Sequence, residues 1–221
     1  MNKLLTTIFA VAVSCVTVSS LAQEVKGDAK AGETKNAMCI GCHGIKGYQA
    51  SFPEIYKVPM ISGQGGKYIV AALNAYKKGE RKHPTMRSIA ESLNDQDIAD
   101  LAAYYSTHGA AAGAELPAKP AKEPSADVQA LLNKANCASC HGANFSKPVD
   151  PAYPKIAGQH SDYLFVALKA YKTDNNPKVG RGNAIMAGMA KQYTNAELKL
   201  LANYLASVDG ELKVIPQSKF R

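Results

Sequence analysis

The chain carries one pentapeptide pattern twice: Cys39-Ile40-Gly41-Cys42-His43 and Cys137-Ala138-Ser139-Cys140-His141 are both C-x-x-C-H, 98 positions apart, and each is followed by Gly. Two thiols three positions apart on a helical turn lie on the same face. They can add to the two vinyl groups of one haem, while the adjacent His presents its imidazole to the iron. C-x-x-C-H is the pattern of c-type haem attachment. Four cysteines in two pairs could also form a single tetrathiolate zinc site, but zinc has no need of a His after each pair. Redox-active dithiols are a third reading, and the sequence around the pairs lacks a thioredoxin-like βαβ context. The pattern predicts two covalently bound c-type haems, held by Cys39 and Cys42 and by Cys137 and Cys140, with His43 and His141 as iron ligands.

The repeat extends well past the cysteines. Ile61-Ser62-Gly63-Gln64 returns as Ile156-Ala157-Gly158-Gln159, and the ten residues from Tyr68 to Lys77 return as Tyr163 to Lys172. Asp97 to Tyr104 returns as Glu197 to Tyr204. The offset is 98 at the cysteines, 95 in the middle and 100 near the end, so the copies differ by small loop insertions. Two copies are too few for a stacked solenoid, and a duplicated small domain fits better. Between them, Gly109 to Glu123 is rich in Ala, Pro and Lys with no apolar period, which reads as a linker.

The fifth cysteine, Cys15, stands in a different kind of segment. Lys3 is the only charge before Glu24, and the 19 residues from Leu4 to Ala22 are apolar, small or hydroxylated. A basic start, an apolar middle and the exit Ser20-Leu21-Ala22 predict a secretory signal peptide cleaved after Ala22. A retained membrane anchor suits the Thr and Ser content poorly. Lipidation of Cys15 would favour Leu where the chain has Ala12. The expected division is therefore 1–22 signal peptide, 23–110 first domain, 111–124 linker and 125–221 second domain. The mature chain then keeps four cysteines and lies in the periplasm.

Each copy reads as about three main helices, making the chain all-α. Ser125 can cap a helix whose apolar positions Val128, Leu131, Leu132 and Ala135 follow the i, i+3, i+4, i+7 pattern up to Cys137. The first copy starts in the same way at Asp28. Middle helices are expected at Lys67–Lys78 and Ser161–Lys172, and terminal helices at Asp95–Thr107 and Asn195–Val208. Strand signals are weak. A module of about 85 residues has a thin core, which a buried macrocycle would supplement.

With these features together, the chain resembles the di-haem class I cytochromes c of the cytochrome c4 family, over nearly all of the mature sequence. The resemblance rests on the paired C-x-x-C-H motifs, the Gly-Gln segments and the methionines ahead of acidic terminal helices. It implies tandem class I cytochrome c domains with facing haems, each iron held by His and Met. By motif position those ligands are His43 with Met86 and His141 with Met186. The repeat supports this choice, because Met38, Met60 and Met189 align with Asn136, Lys155 and Ile89, whereas Met86 and Met186 align with each other. The unmatched methionines read as core filler. The family's proline carbonyl, which accepts from the ligating His, matches Pro59 and Pro154. Among the other histidines, His83 aligns with Asn183 and reads as a surface-loop residue. His108 reads as a partly positive ring at a helix end, and His160 as a neighbour of a helix start. None is expected to bind iron.

Lys and Arg number 26 against 18 Asp and Glu, a formal charge of +8. Residues 23–110 hold 11 basic and 9 acidic side chains, and 126–221 hold 12 and 7, so the second copy is the more basic. That asymmetry can steer the protein toward an acidic partner or an anionic membrane surface, and peripheral membrane association is possible on this charge. The lysines are too dispersed for nucleic acid. His/Met ligation gives a relatively high potential and leaves no open iron site, as expected of a carrier rather than an enzyme. The family implies single-electron transfer in the periplasm from a quinol-oxidising complex to a terminal oxidase. The alternatives are a cytochrome subunit of a dehydrogenase, such as a flavocytochrome, and a di-haem peroxidase, which needs an exchangeable iron.

Overall fold

A computed structural model describes residues 25–110 and 115–216. The expected signal peptide, its cleavage point, Cys15 and part of the linker lie outside these residues. Asp28 accepts from the Lys30 and Ala31 amides and starts α1 (Ala29–Lys35), which is followed by α2 (Ala37–His43). The first helix of this copy is thus broken at Asn36 just before the cysteines. Next come α3 (Gly66–Lys77), α4 (Pro84–Glu91) and α5 (Asp95–Thr107). The second copy repeats the order as α6 (Ala126–Lys134), α7 (Ala138–His141), α8 (Ser161–Ala170), α9 (Ala184–Ala190) and α10 (Asn195–Ser207). Helices α4 and α9 were not legible as helices in the sequence; each is short and follows a loop. Strand content is slight, as expected. The two-residue strands β1 (Gln49–Ala50) and β2 (Tyr56–Lys57) pair antiparallel, and so do β3 (Arg81–Lys82) and β4 (Gly180–Arg181).

The terminal helices begin sharply because both carry capping boxes. The side chains of Asn94 and Thr194 accept from the amides of Asp97 and Glu197, whose carboxylates return to the cap amides. Each terminal helix then forms the floor of its half. Ile98, Leu101 and Ala102 pack with Ile69, Leu93 and Tyr105, and Leu198, Leu201 and Ala202 pack with Val128, Leu132 and Leu164. Ser125 caps α6 as its position suggests, with Val128 and Leu132 buried and Leu131 and Ala135 against them. Met38 departs from the core-filler reading, since it is 51% exposed.

The halves meet through polar contacts, one set of which is made in the same way from either side. Gln64 donates to the Lys155 carbonyl at 3.0 Å and accepts from the Lys155 amide at 2.9 Å. Gln159, its repeat counterpart, donates to the Met60 carbonyl at 2.9 Å and accepts from the Met60 amide at 3.0 Å. Lys57 pairs with Asp162, and Lys169 with Glu54. Beyond α10 the chain returns to the first half. The Lys213 amide donates to the Ser62 carbonyl, and its ammonium to the Gly109 carbonyl. The described end of the linker lies on the second half, where Asn144 donates to the Pro117 carbonyl and Tyr204 to that of Lys122.

Candidate haem-binding site

Helix α2 places Cys39, Cys42 and His43 on its last two turns. The shorter α7 does the same for Cys140 and His141, with Cys137 at its N-cap. None of these four cysteines is in a disulfide, and all are half-buried. Among the described residues no three His, Cys, Asp or Glu side chains gather as a metal site, so the pairs do not converge as a zinc tetrathiolate would require. Burial pushes the Cys39 thiol up to about 11 and raises that of Cys137. Redox-active dithiols need the opposite shift. Gly142, after His141, has φ +80°, and a Cβ there would lie 2.0 Å from the Lys147 carbonyl oxygen. Only glycine lets the chain turn so tightly behind the imidazole.

The imidazoles are aimed by backbone. His43 Nδ1 lies 2.7 Å from the Pro59 carbonyl oxygen and His141 Nδ1 3.0 Å from that of Pro154. A carbonyl can only accept, so Nδ1 carries the proton and Nε2 keeps its lone pair. Burial holds both rings below the usual His range, in the neutral form a metal requires. Met86 and Met186 occupy the same position, third in α4 and third in α9. Their amides donate to matching caps, His83 Nδ1 at 3.3 Å and Asn183 Oδ1 at 2.9 Å. His83 is therefore a half-buried helix cap rather than a surface-loop residue, and its ring meets Tyr56 edge to face. His108 also departs from expectation. Its ring stacks on Tyr104 at 4.6 Å and bonds Ser62 Oγ at 2.9 Å, and burial lowers its pKa, which favours a neutral ring. His160 stands at the N-cap of α8, its amide donating to Gln159.

A second group of residues lies where the halves meet. Arg81 and Arg181 face each other across the β3–β4 pair. Their hydrogen bonds go to phenol oxygens: Arg81 to Tyr68 at 3.2 Å and Tyr163 at 3.3 Å, and Arg181 to Tyr163 at 3.0 Å. Arg81 also sits over the Tyr76 ring and Arg181 over Tyr171. Arg81 Nε is buried without a partner. Burial pushes the Tyr163 phenol up, but the two guanidiniums outweigh it and draw it down to about 8. Two half-buried like charges this close favour an anion beside them. Haem carries two carboxylates, so this cluster, together with the thiols and the neutral imidazoles, fits the group that C-x-x-C-H attaches. Sequence reasoning assigned these residues no role. Tyr68 with Tyr163, Tyr76 with Tyr171 and Arg81 with Arg181 all recur in the repeat, and that recurrence was the available signal.

Tandem helical halves, each with a C-x-x-C-H turn whose His is bonded to a proline carbonyl, define a duplicated c-type haem protein. The family model for cytochrome c matches residues 29–108 and again 125–209. Cytochrome c4 of Thiocapsa roseopersicina is 32% identical over 192 residues, covering 81% of this chain and 92% of that protein. The structure of reduced recombinant cytochrome c4 from Pseudomonas stutzeri superposes with a TM-score of 0.58 at 25% identity, covering 83% of this chain and all of that one. A Stutzerimonas stutzeri protein named as a thiosulfate dehydrogenase electron acceptor is 28% identical, over 89% of this chain and 92% of its own. The chain belongs to the cytochrome c family, within it to the cytochromes c4, and it is a di-haem electron-transfer protein with two covalently bound c-type haems.

Proposed function

We propose that this chain carries single electrons in the periplasm, from a quinol-oxidising complex to a terminal oxidase, with 23–110 and 125–221 as its two haem domains. The observation that carries the reading is that each half repeats a carbonyl-bonded His and a methionine at one fixed helix position. In this reading Cys39 and Cys42 would hold one haem, with His43 and Met86 as its iron ligands. Cys137 and Cys140 hold the other, with His141 and Met186. Haem supplies one-electron redox chemistry when bound. Iron held by both a His and a Met would have no place for peroxide or oxygen, which argues against a peroxidase. Pro59 and Pro154 fix the imidazole tautomer and raise its basicity. The arginine–tyrosine cluster would hold the haem carboxylates. No helix of the described residues is long and apolar enough to cross a membrane.

A second reading, the cytochrome partner of a dehydrogenase, draws support from the relatives named as thiosulfate dehydrogenase electron acceptors. Purification from periplasm, with identification of co-eluting chains, separates the two. The respiratory reading expects a free protein beginning at Gln23, reduced rapidly by quinol only when the quinol-oxidising complex is added. A tightly bound dehydrogenase, with reduction by thiosulfate and not by quinol, would overturn it.

A further inference from the structure

The residue after each His-orienting proline is gripped by the opposite half. Pro59 holds His43, and the peptide groups of the next residue, Met60, are both bonded to Gln159 of the second half. Pro154 holds His141, and both peptide groups of Lys155 are bonded to Gln64 of the first half. The two glutamines are 4% and 3% exposed. Each carboxamide makes three bonds, one as donor and two as acceptor. The oxygen's second bond comes from its own following amide, Gly65 or His160, at the start of a helix. That ties the amide to a rigid element, so the grip transmits position from the other half.

We propose that Gln64 and Gln159 are crossed positioning residues: Gln159 of the second half sets the axial imidazole of the first haem, and Gln64 of the first half sets that of the second. The inference rests on His43 and His141 being the iron ligands. A proline has no amide, so its carbonyl is steered by its neighbours in the chain. Bonding both the N–H and the C=O of the following residue leaves the Pro–Met and Pro–Lys peptides little freedom to rotate. A steady carbonyl keeps Nδ1–H bonded, which makes the imidazole a stronger donor and favours ferric iron. Loss of the grip therefore weakens that bond and raises the potential of the haem in the other half.

The test is a haem-resolved redox titration of the intact di-haem protein, wild type against Gln159→Leu and Gln64→Leu. Ferric haem-methyl resonances report each centre, assigned by the set lost in a Cys39→Ala/Cys42→Ala variant. Gln159→Leu should raise the potential of the first haem and leave the second in place; Gln64→Leu should do the reverse. Gln159→Glu keeps the acceptor and loses the donor, and should fall between wild type and Gln159→Leu. It also serves where the leucine variant folds poorly, and faster hydrogen exchange at Met60 should accompany both. A shift confined to the haem of the mutated half, or no shift, overturns the inference alone. A wild-type ferric spectrum without imidazole-ligated low-spin iron overturns the ligand assignment and this inference with it.

Discussion

At the scale of single residues, the axial methionines give the sharpest expectation. Met86 and Met186 stand at the same helix position behind matched caps. The ferric protein should show the near-infrared sulfur-to-iron absorption for both centres. Met86→His should remove half of it and lower one potential, because imidazole favours ferric iron more than a thioether does; Met186→His should act on the other. If Met189→Leu abolished the second signal while Met186→Leu spared it, the repeat register would be wrong. His108 offers a pH test away from the haem ligands. Burial depresses its pKa, although Glu33 nearby raises it. As pH falls below about 6.5, the usual His value, the unfolded chain takes up this proton before the folded one. Stability present above that pH is then lost on acidification. Thermal melts at pH 7.5 and 5.5 should differ less for His108→Gln than for wild type.

At the scale of elements, α1 and α5 cross so closely that glycine is obligatory in α1. A Cβ on Gly32 would lie 2.1 Å from the Asp100 carbonyl oxygen, whereas one on Gly41 in α2 would meet nothing within 4 Å. Alanine is the better helix former by about 1 kcal/mol, yet at Gly32 the helices would have to part. Parting them also strains the bonds of the Asp28 amide and of Lys35 to the buried Asp100 carboxylate. Gly32→Ala should destabilise by about 1–3 kcal/mol, the range for overpacking. Gly41→Ala should be neutral or slightly stabilising. Denaturant melts of both variants check the contrast, and equal destabilisation would mean that the crossing is looser than it looks.

At the scale of the molecule, the two halves exchange their C-terminal extensions. The last described residues lie on the first half, with Ile215 against Gly109 and close to Gly44 beside His43. The described linker lies on the second half, near Asn144. Removing residues 212–221 deletes the Lys213 bonds to Ser62 and Gly109 and should speed hydrogen exchange around Gly109 and Gly44. Exchange in α8 should not change, because that helix packs on α10. Faster exchange throughout the second half would show the segment to be part of that half's own core.

Much of this was present in the sequence because repetition carries it. The C-x-x-C-H turns, the equivalence of Met86 with Met186, the Ser125 cap and the three main helices of each half rest on local spacing and on comparing one half with the other. What the sequence left open depends on contacts between distant residues. His83 reads as loop until α4 forms behind it and uses its ring as a cap. Met38 reads as filler, yet among the described residues it is left exposed. Arg81, Arg181 and their tyrosines recur in the repeat, but nothing local says that the two sets share one polar interface. Spacing along a helix turn decides which thiols and imidazole can serve one haem. Only tertiary structure decides that each proline carbonyl is steadied from across the interface, because that requires Gln64 to meet Lys155 and Gln159 to meet Met60 over more than 90 residues of chain.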